Sequence, residues 1–488
     1  MRNAMNYKQI GRIIGFILII EGLFLVPAWG ISLLYREGNA ALAVLKSQII
    51  ILVAGSALLW ITRDAKHNFY AKEGLVTTGF AWIALSLFGA LPFYISREIP
   101  SYIDCVFETA SGFTTTGSSI LADVECMSHG LLYWRSFTHW VGGMGVLVFL
   151  MAIVPLSGKN EGFTLHILRA ESPGPSVGKL VPRMRQTAKI LYLIYVGLTV
   201  LDIFFLVIGG MPVFDSVCHA FGTAGTGGFG VKADSFAGYS PYLQNVTTVF
   251  MLLFGVNFSC YYLLLIKRAR DVFHDEELRT YAAIVVISIL LIAWNISGMY
   301  SSLSEVFRHA SFQVASVIST TGFATTDFDK WPSFSKAILL ALMCCGASAG
   351  STGGGLKVAR LILLVKSGVR SFHQNLHSSE VRKVRINGAV VDEKVMASVN
   401  GYLVAYVLIV VLSFLVVSLD GFSVETNISA ILATFNNIGP GFGSVGPTIN
   451  FSGYSALSKI TMIFDMLAGR LEILPIMVLF SRTTWKKN

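Results

Sequence analysis

Charge is scarce in this chain. Asp, Glu, Lys and Arg make up 13% of its 488 residues, about half of the roughly 25% found in soluble domains. With 54% hydrophobic residues and a mean hydropathy of +0.65, that scarcity excludes a soluble globular protein and indicates an integral membrane protein. Cysteine is sparse too. Cys105, Cys126, Cys218, Cys260, Cys344 and Cys345 form no C-x-x-C pair and no metal-type spacing; they decide little, and small buried residues are the expected role. No G-x-x-x-x-G-K-[ST] phosphate loop is present; Ser351-Thr352-Gly353-Gly354-Gly355-Leu356-Lys357 comes nearest but lacks the strand context and the following Ser or Thr. Serine, cysteine and zinc hydrolase motifs are missing as well. The reading is therefore of a protein that is not an enzyme and holds no organic cofactor.

The N-terminus has Arg2, Lys8 and Arg12 ahead of an apolar run over residues 13–34. The run is too long for a signal peptide and no small-x-small cleavage site follows, so a retained first helix is expected. The formal charge of +9 does not point to nucleic acid. Its residues gather in loops: Lys159, Arg169, Lys179, Arg183 and Arg185; Lys267, Arg268 and Arg270; Arg370, Arg382, Lys383 and Arg385; Lys486 and Lys487. By the positive-inside rule these loops are cytoplasmic.

What the chain does contain is a repeated glycine segment. Thr114-Thr115-Thr116-Gly117, Gly225-Thr226-Gly227-Gly228, Ser319-Thr320-Thr321-Gly322 and Asn436-Asn437-Ile438-Gly439 each lie between two apolar stretches and follow a shorter helix-compatible run. Neighbouring final glycines are 111, 94 and 117 residues apart, so one unit is written four times with loops of different length. In the second copy either Gly227 or Gly228 could be the equivalent glycine. Any one Thr-Thr-Gly is an ordinary loop; the set of four reads as a pore. Four backbone strands around one axis can offer carbonyl oxygens to a dehydrated cation, and glycine supplies the φ that turns them inward. The ion-contacting set expected from this is Thr115, Thr116, Gly117, Thr226, Gly227, Gly228, Thr320, Thr321, Gly322, Asn437, Ile438 and Gly439.

The expected fold class is an all-α polytopic membrane protein: four pseudo-symmetric repeats of outer helix, pore loop and inner helix around one pore, plus an extra N-terminal helix pair. The pair occupies residues 1–65, with spans near 10–34 and 41–63. The repeats occupy 66–156, 157–275 including a preceding cytoplasmic loop, 276–366, and 367–488 including another, with outer-to-inner spans near 72–155, 186–266, 278–366 and 394–482. Ten spans and four half-helices result. Runs such as 103–113 and 428–435 are too short to cross a hydrocarbon core of about 30 Å. They must enter and return, which is tolerable only where the freed backbone is buried in protein or lines water. Each half-helix aims its negative end at the axis and favours a cation there. With an even number of spans both termini lie inside and the glycine segments face outward.

Two further features stand out. Residues 346–355 hold five glycines, Gly346, Gly350, Gly353, Gly354 and Gly355, too many for a stable helix at about 1 kcal/mol each relative to alanine. The third inner span is expected to break into a flexible loop below the filter that acts as a gate, with Lys357 at its cytoplasmic end. Small-residue helix packing is the plainer account, but it would space the glycines by four. In the fourth inner span Asp465, Arg470 and Glu472 interrupt an otherwise apolar helix over 460–480, and intramembrane charge is functional by default. Arg470 either places a positive charge beneath the filter and holds the glycine loop by its carbonyls, or pairs with Asp465 or Glu472; both readings stay open. Glu108 in the first pore helix is expected to cap or pair rather than bind the ion. His373 and His377 have metal-like spacing in a basic loop where solvation is the default.

In these residues the chain resembles the potassium uptake proteins of the Trk/Ktr/HKT superfamily, most closely the bacterial Trk membrane subunit. The resemblance covers nearly the whole length. It rests on the four glycine segments, the 346–355 loop and Gly469-Arg470-Leu471-Glu472, while the N-terminal helix pair favours Trk over the shorter Ktr subunit. It implies potassium as the transported and filter-bound ion, and a multi-pass location in the cytoplasmic membrane. It also implies a homodimer with a pore in each protomer, docked on a cytosolic ring of nucleotide-binding subunits regulated by NAD or ATP. The basic loops would be the docking surface. In plant relatives a serine at the first filter position looks linked to sodium preference, so Gly117 implies potassium. The rival readings are a proton- or sodium-coupled symporter with alternating access, and a membrane enzyme using Asp465 and a histidine such as His139. Fourfold repetition disfavours the first; the lack of converging acid and base groups disfavours the second.

Overall fold

The computed structural model describes residues 5–65, 70–145, 184–377 and 383–485. Lys159, Arg169, Lys179, Arg183, Arg382, Lys486 and Lys487 lie outside the described residues, as does most of the expected first cytoplasmic loop. The chain opens with an antiparallel pair, α1 (Tyr7–Leu34) and α2 (Gly38–Ile61). Glycines let the two backbones close up: a Cβ on Gly55 would stand 3.0 Å from the Gly15 carbonyl oxygen, and one on Gly22 would stand 2.8 Å from Leu52.

Four repeats follow. The first comprises α3 (Ala71–Gly89), α4 (Leu91–Ser96), pore helix α5 (Tyr102–Phe113) and inner helix α6 (His129–Met144). The second has α7 (Met184–Ile208), pore helix α8 (Val213–Gly225) and a divided inner helix, α9 (Pro241–Phe254) and α10 (Phe258–Leu265). After the short α11 (Ala269–His274), the third has α12 (Glu276–Ile296), pore helix α13 (Leu303–Ile318), α14 (Ser333–Cys345) and α15 (Val358–Leu376). A two-residue hairpin, β1 (Arg385–Ile386) with β2 (Ala389–Val390), leads to the fourth: α16 (Glu393–Val417), pore helix α17 (Val424–Phe435), α18 (Ala456–Arg470) and α19 (Leu474–Phe480), with α20 (Arg482–Trp485) at the end. The outer helices leave long apolar side chains such as Leu193, Phe204, Ile287 and Leu412 exposed, as a lipid-facing surface requires. The pore helices are partly exposed in their first turns and buried toward their C-terminal ends.

The pore helices share one charge pattern. Asp104, Asp215, Glu305 and Glu425 each sit in a first turn, and no last turn carries a basic residue. The acids complement the positive helix ends, and the negative ends are left bare where the four helices point inward.

The inner helices depart from expectation. Among the described residues six helices are long and apolar enough to cross a membrane, or seven if α9 and α10, bent by 89°, form one span. Ten were expected, and the difference lies in the inner helices. The third is broken between Cys345 and Val358, as its glycines foretold. The second bends at Gly255–Asn257, where the Asn257 side chain accepts from Ser259 N and starts a new helix. The fourth is not the unbroken helix expected over 460–480: it stops at Arg470 and restarts at Leu474, with Glu472 and Ile473 at φ 57° and 68°. The first stops at Met144, where Gly145 has φ 79°, and the rest of that expected span lies outside the described residues. The cysteines also differ in part from the buried role expected: Cys344 and Cys345 are half-buried. Cys126 is exposed, with its thiol 3.0 Å from Asp123, whereas Cys105, Cys218 and Cys260 are buried.

Candidate functional site

Every pore helix ends in the same six-residue hook. The backbone N–H of Thr116, Gly227, Thr321 and Ile438 reaches back to Ser111, Gly222, Ser316 and Ala433, each at 2.8 Å. One residue earlier, Thr115, Thr226, Thr320 and Asn437 donate to Gly112, Thr223, Val317 and Thr434 at 3.0–3.3 Å. This paired closure is a Schellman motif, which needs a left-handed residue at its turn. Thr115, Thr226, Thr320 and Asn437 take that role, with φ between 55° and 61°. Glycine is the usual occupant, and β-branched threonine there carries strain of about 1–3 kcal/mol, which persists only where the surroundings enforce it.

Two residues on, the chain turns left-handed again at Gly117 (φ 82°), Gly228 (74°), Gly322 (85°) and Gly439 (103°). That rhythm selects Gly228 over Gly227 as the equivalent glycine of the second repeat. The ring closes in chain order. A Cβ added to Gly117 would strike the carbonyl oxygen of Gly227, one on Gly228 that of Thr321, one on Gly322 that of Ile438, and one on Gly439 would lie 2.9 Å from that of Thr116. Each glycine thus packs on the carbonyl just before the next repeat's glycine, so a side chain at any of the four has no space. All four line a single cavity of about 140 Å³.

Side chains behind the ring tie it to the scaffold. Thr116 Oγ1 lies 2.8 Å from Thr114 Oγ1, and Thr321 Oγ1 lies 2.7 Å from Ser319 Oγ. Asn437 Nδ2 donates to Thr116 Oγ1 at 2.9 Å and to the Met466 carbonyl at 3.0 Å, which joins the fourth segment to the first. His139 is buried and stacks on Phe229 with ring centroids 4.1 Å apart; it packs behind the second segment.

Opposite the cavity, the 346–357 loop closes on the ring. Gly346, Gly350, Gly355 and Lys357 have φ of 70–75°, so the glycines satisfy a backbone path as well as a space limit. Gly354 N donates to Thr320 Oγ1 at 2.7 Å, and a Cβ on Gly353 would lie 2.8 Å from the Ser319 carbonyl. The loop also bonds to the bend in the second inner helix: Ser348 N donates to the Gly255 carbonyl and Phe258 N to the Gly350 carbonyl, both at 3.1 Å. Lys357 is buried at the end of the loop and folds back to donate to the Gly353 carbonyl.

Arg470 reaches the same place from the fourth repeat. It donates to the carbonyls of Thr352 (2.7 Å), Gly142 (2.5 Å) and Gly143 (2.8 Å). Of the two acids considered as its partners, Asp465 accepts from Ser413 Oγ at 2.7 Å and Glu472 pairs with Arg360. All four inner helices therefore meet at the loop: Gly142 and Gly143 near the end of the first, the Gly255–Phe258 bend of the second, the loop that interrupts the third, and Arg470 at the break in the fourth.

Two of these contacts were not foreseen. Glu277, in the first turn of α12, accepts from Ala349 N at 2.6 Å and from Ala359 N at 3.2 Å with one oxygen, so it pins both ends of the loop. Arg360 joins Glu472 and lies 4.1 Å over the Tyr402 ring. Their signal was an acid and a base at the edges of apolar stretches, neither of which any motif singles out.

Four re-entrant segments meeting at one axis, with a cavity on one side and a loop on the other, define a polytopic membrane protein of four pore-type repeats in a single chain. The family model for TrkH, described as cation transport protein, matches residues 41–487. Over 99% of its length the chain is 36% identical to the Trk system potassium uptake protein TrkH of Salmonella typhimurium, all of which it covers. It is 31% identical to the Trk system potassium uptake protein TrkG of Escherichia coli K12 over the same share of each chain. The crystal structure of the potassium transporter TrkH from Vibrio parahaemolyticus superposes with a TM-score of 0.89 at 31% identity, covering 99% of this chain and all of that one. The chain belongs to the TrkH family of cation transport proteins.

Proposed function

We propose that this protein takes up potassium across the cytoplasmic membrane through a selectivity filter made of backbone carbonyls. The observation that carries this reading is the ring in which Gly117, Gly228, Gly322 and Gly439 line one cavity, each packed on the carbonyl before the next glycine. The filter comprises Thr115, Thr116, Gly117, Thr226, Gly227, Gly228, Thr320, Thr321, Gly322, Asn437, Ile438 and Gly439. An entering potassium ion is the substrate. It exchanges water for carbonyl oxygen, and several oxygens acting together offset the loss of hydration. The bare negative ends of the pore helices favour a cation and disfavour an anion.

Below the filter, Gly346, Gly350, Gly353, Gly354, Gly355 and Lys357 form a gate locked by Arg470. Three carbonyl bonds hold the arginine in the path, where its charge opposes the next cation. Opening requires the loop to leave the bend at Gly255–Asn257. The chain works as a homodimer on a cytosolic ring of nucleotide-binding Trk subunits that sense NAD or ATP, with the basic loops as the contact surface and both termini in the cytoplasm. Four-part repetition supports this over a proton- or sodium-coupled symporter, whose repeats are usually two.

The test is substitution of the filter glycines. Gly322→Val and Gly117→Val, reconstituted in liposomes and checked for folding, are expected to lose potassium over sodium discrimination or all flux. Unchanged uptake and ion preference would remove the filter assignment.

A further inference from the structure

Nine residues before the filter glycine the four pore helices carry Glu108, His219, Gln313 and Ala430, and the first of these is part of an assembly the other repeats lack. Glu108 is buried and takes four hydrogen bonds. Arg135 Nε donates to Oε1 at 2.6 Å, Ser119 Oγ lies 2.9 Å from Oε1 and 3.1 Å from Oε2, and Ile120 N donates to Oε2 at 3.0 Å. Ser119 and Ile120 belong to the strand leaving the first filter segment. Arg135, buried on α6, extends the assembly to the second segment. One guanidinium nitrogen donates to the Gly230 carbonyl at 3.1 Å, and its carbon stands 3.5 Å over the Phe229 ring. Phe229 and Gly230 directly follow Gly228.

We infer that Glu108 and Arg135 are positioning residues for ion selectivity, a charged clamp that sets the spacing between the first and second filter strands. The inference rests on the reading of those strands as a filter. Its chemistry is direct. A carboxylate with two oxygens holds one strand by a hydroxyl and an amide, and the planar guanidinium fork spans from that carboxylate to a carbonyl of the next strand. Discrimination between potassium and sodium depends on how firmly opposing oxygens resist closing on the smaller ion. A tie between the strands supplies that resistance. Strands leaving the other filter segments are joined by neutral bonds, Phe236 N to the Ala324 carbonyl and Ser118 Oγ to the Gly439 carbonyl, both at 2.9 Å; the charged pairs Lys336–Glu425 and Lys459–Asp104 join repeats at the starts of pore helices instead.

The experiment measures potassium, rubidium and sodium flux into liposomes bearing the full-length chain. Glu108→Gln, Arg135→Gln, Arg135→Lys and Phe229→Leu are compared with the parent, with thermal melting as a control on folding. Lysine keeps the charge but cannot bridge carboxylate and carbonyl together, so Arg135→Lys is expected to melt near the parent and yet lose potassium over sodium selectivity. The expected loss is about tenfold, equivalent to about 1.4 kcal/mol of relative ion free energy. Phe229→Leu leaves the ion pair intact and is expected to lose less, which keeps the inference testable if both charge-neutral variants fail to fold. Folded Arg135→Lys and Phe229→Leu proteins with the parent's selectivity would overturn the clamp while leaving the filter intact. A parent without selectivity would instead overturn the filter reading on which it rests.

Discussion

Thr115, Thr226 and Thr320 hold a backbone conformation that β-branched residues avoid, and the fourth repeat meets the same demand with Asn437, a residue that tolerates it. The threonines therefore have a second use, and for Thr320 it is visible: its hydroxyl accepts from Gly354 N of the loop at 2.7 Å. Thr320→Val keeps shape and branching but leaves that buried N–H without its acceptor, at a cost of about 1–3 kcal/mol. A lower melting temperature and a higher potassium flux are expected in detergent and liposome assays respectively; a variant unchanged in both would show that filter and loop are not tied there. Arg470→Ala leaves the carbonyls of Thr352, Gly142 and Gly143 without this donor. Flux is expected to rise roughly tenfold if those bonds favour the closed loop by about 1.4 kcal/mol. A fall in flux from a folded variant would assign Arg470 to architecture alone. At this scale the Arg470 reading was partly legible, since a lone base in an apolar stretch must find acceptors. Which carbonyls it finds depends on three other repeats and is written nowhere near it.

At the scale of elements, the inner helices are interrupted where the loop needs partners. Glu277 holds the loop at Ala349 and Ala359 from a neighbouring helix, so Glu277→Ala should free both ends without touching the filter. Faster amide hydrogen exchange over residues 346–359 and increased flux are expected; unaltered exchange would mean that Glu277 does not pin the loop. The third break was legible because five glycines in ten residues cannot sustain a helix. The bend in the second helix had a weaker signal in Gly255 and Asn257. The break in the fourth had almost none, since Leu471, Glu472 and Ile473 are neither glycine nor proline. There the left-handed turn at Glu472 and Ile473 goes with a tertiary contact, the Glu472–Arg360 pair. Local propensity cannot report a conformation that a residue 112 positions away helps to hold.

For the molecule as a whole, four hooks with matching bonds place four strands on one axis, and that symmetry explains why spacing together with hydropathy made the fold class legible. The four final glycines share a dihedral rhythm, which selects Gly228 in the second repeat. What spacing could not convey is the asymmetry: a buried Glu108–Arg135 pair beside the first two segments only, and a loop from a single repeat reaching the others. The proposed function is passive, selective conduction of potassium by this chain. Its most direct test is potassium and rubidium flux into liposomes holding only the purified protein, with sodium as competitor and an ionophore collapsing any proton gradient. Potassium-selective flux that persists without the gradient is expected; flux that vanishes with the gradient would rule out passive conduction and favour coupled transport.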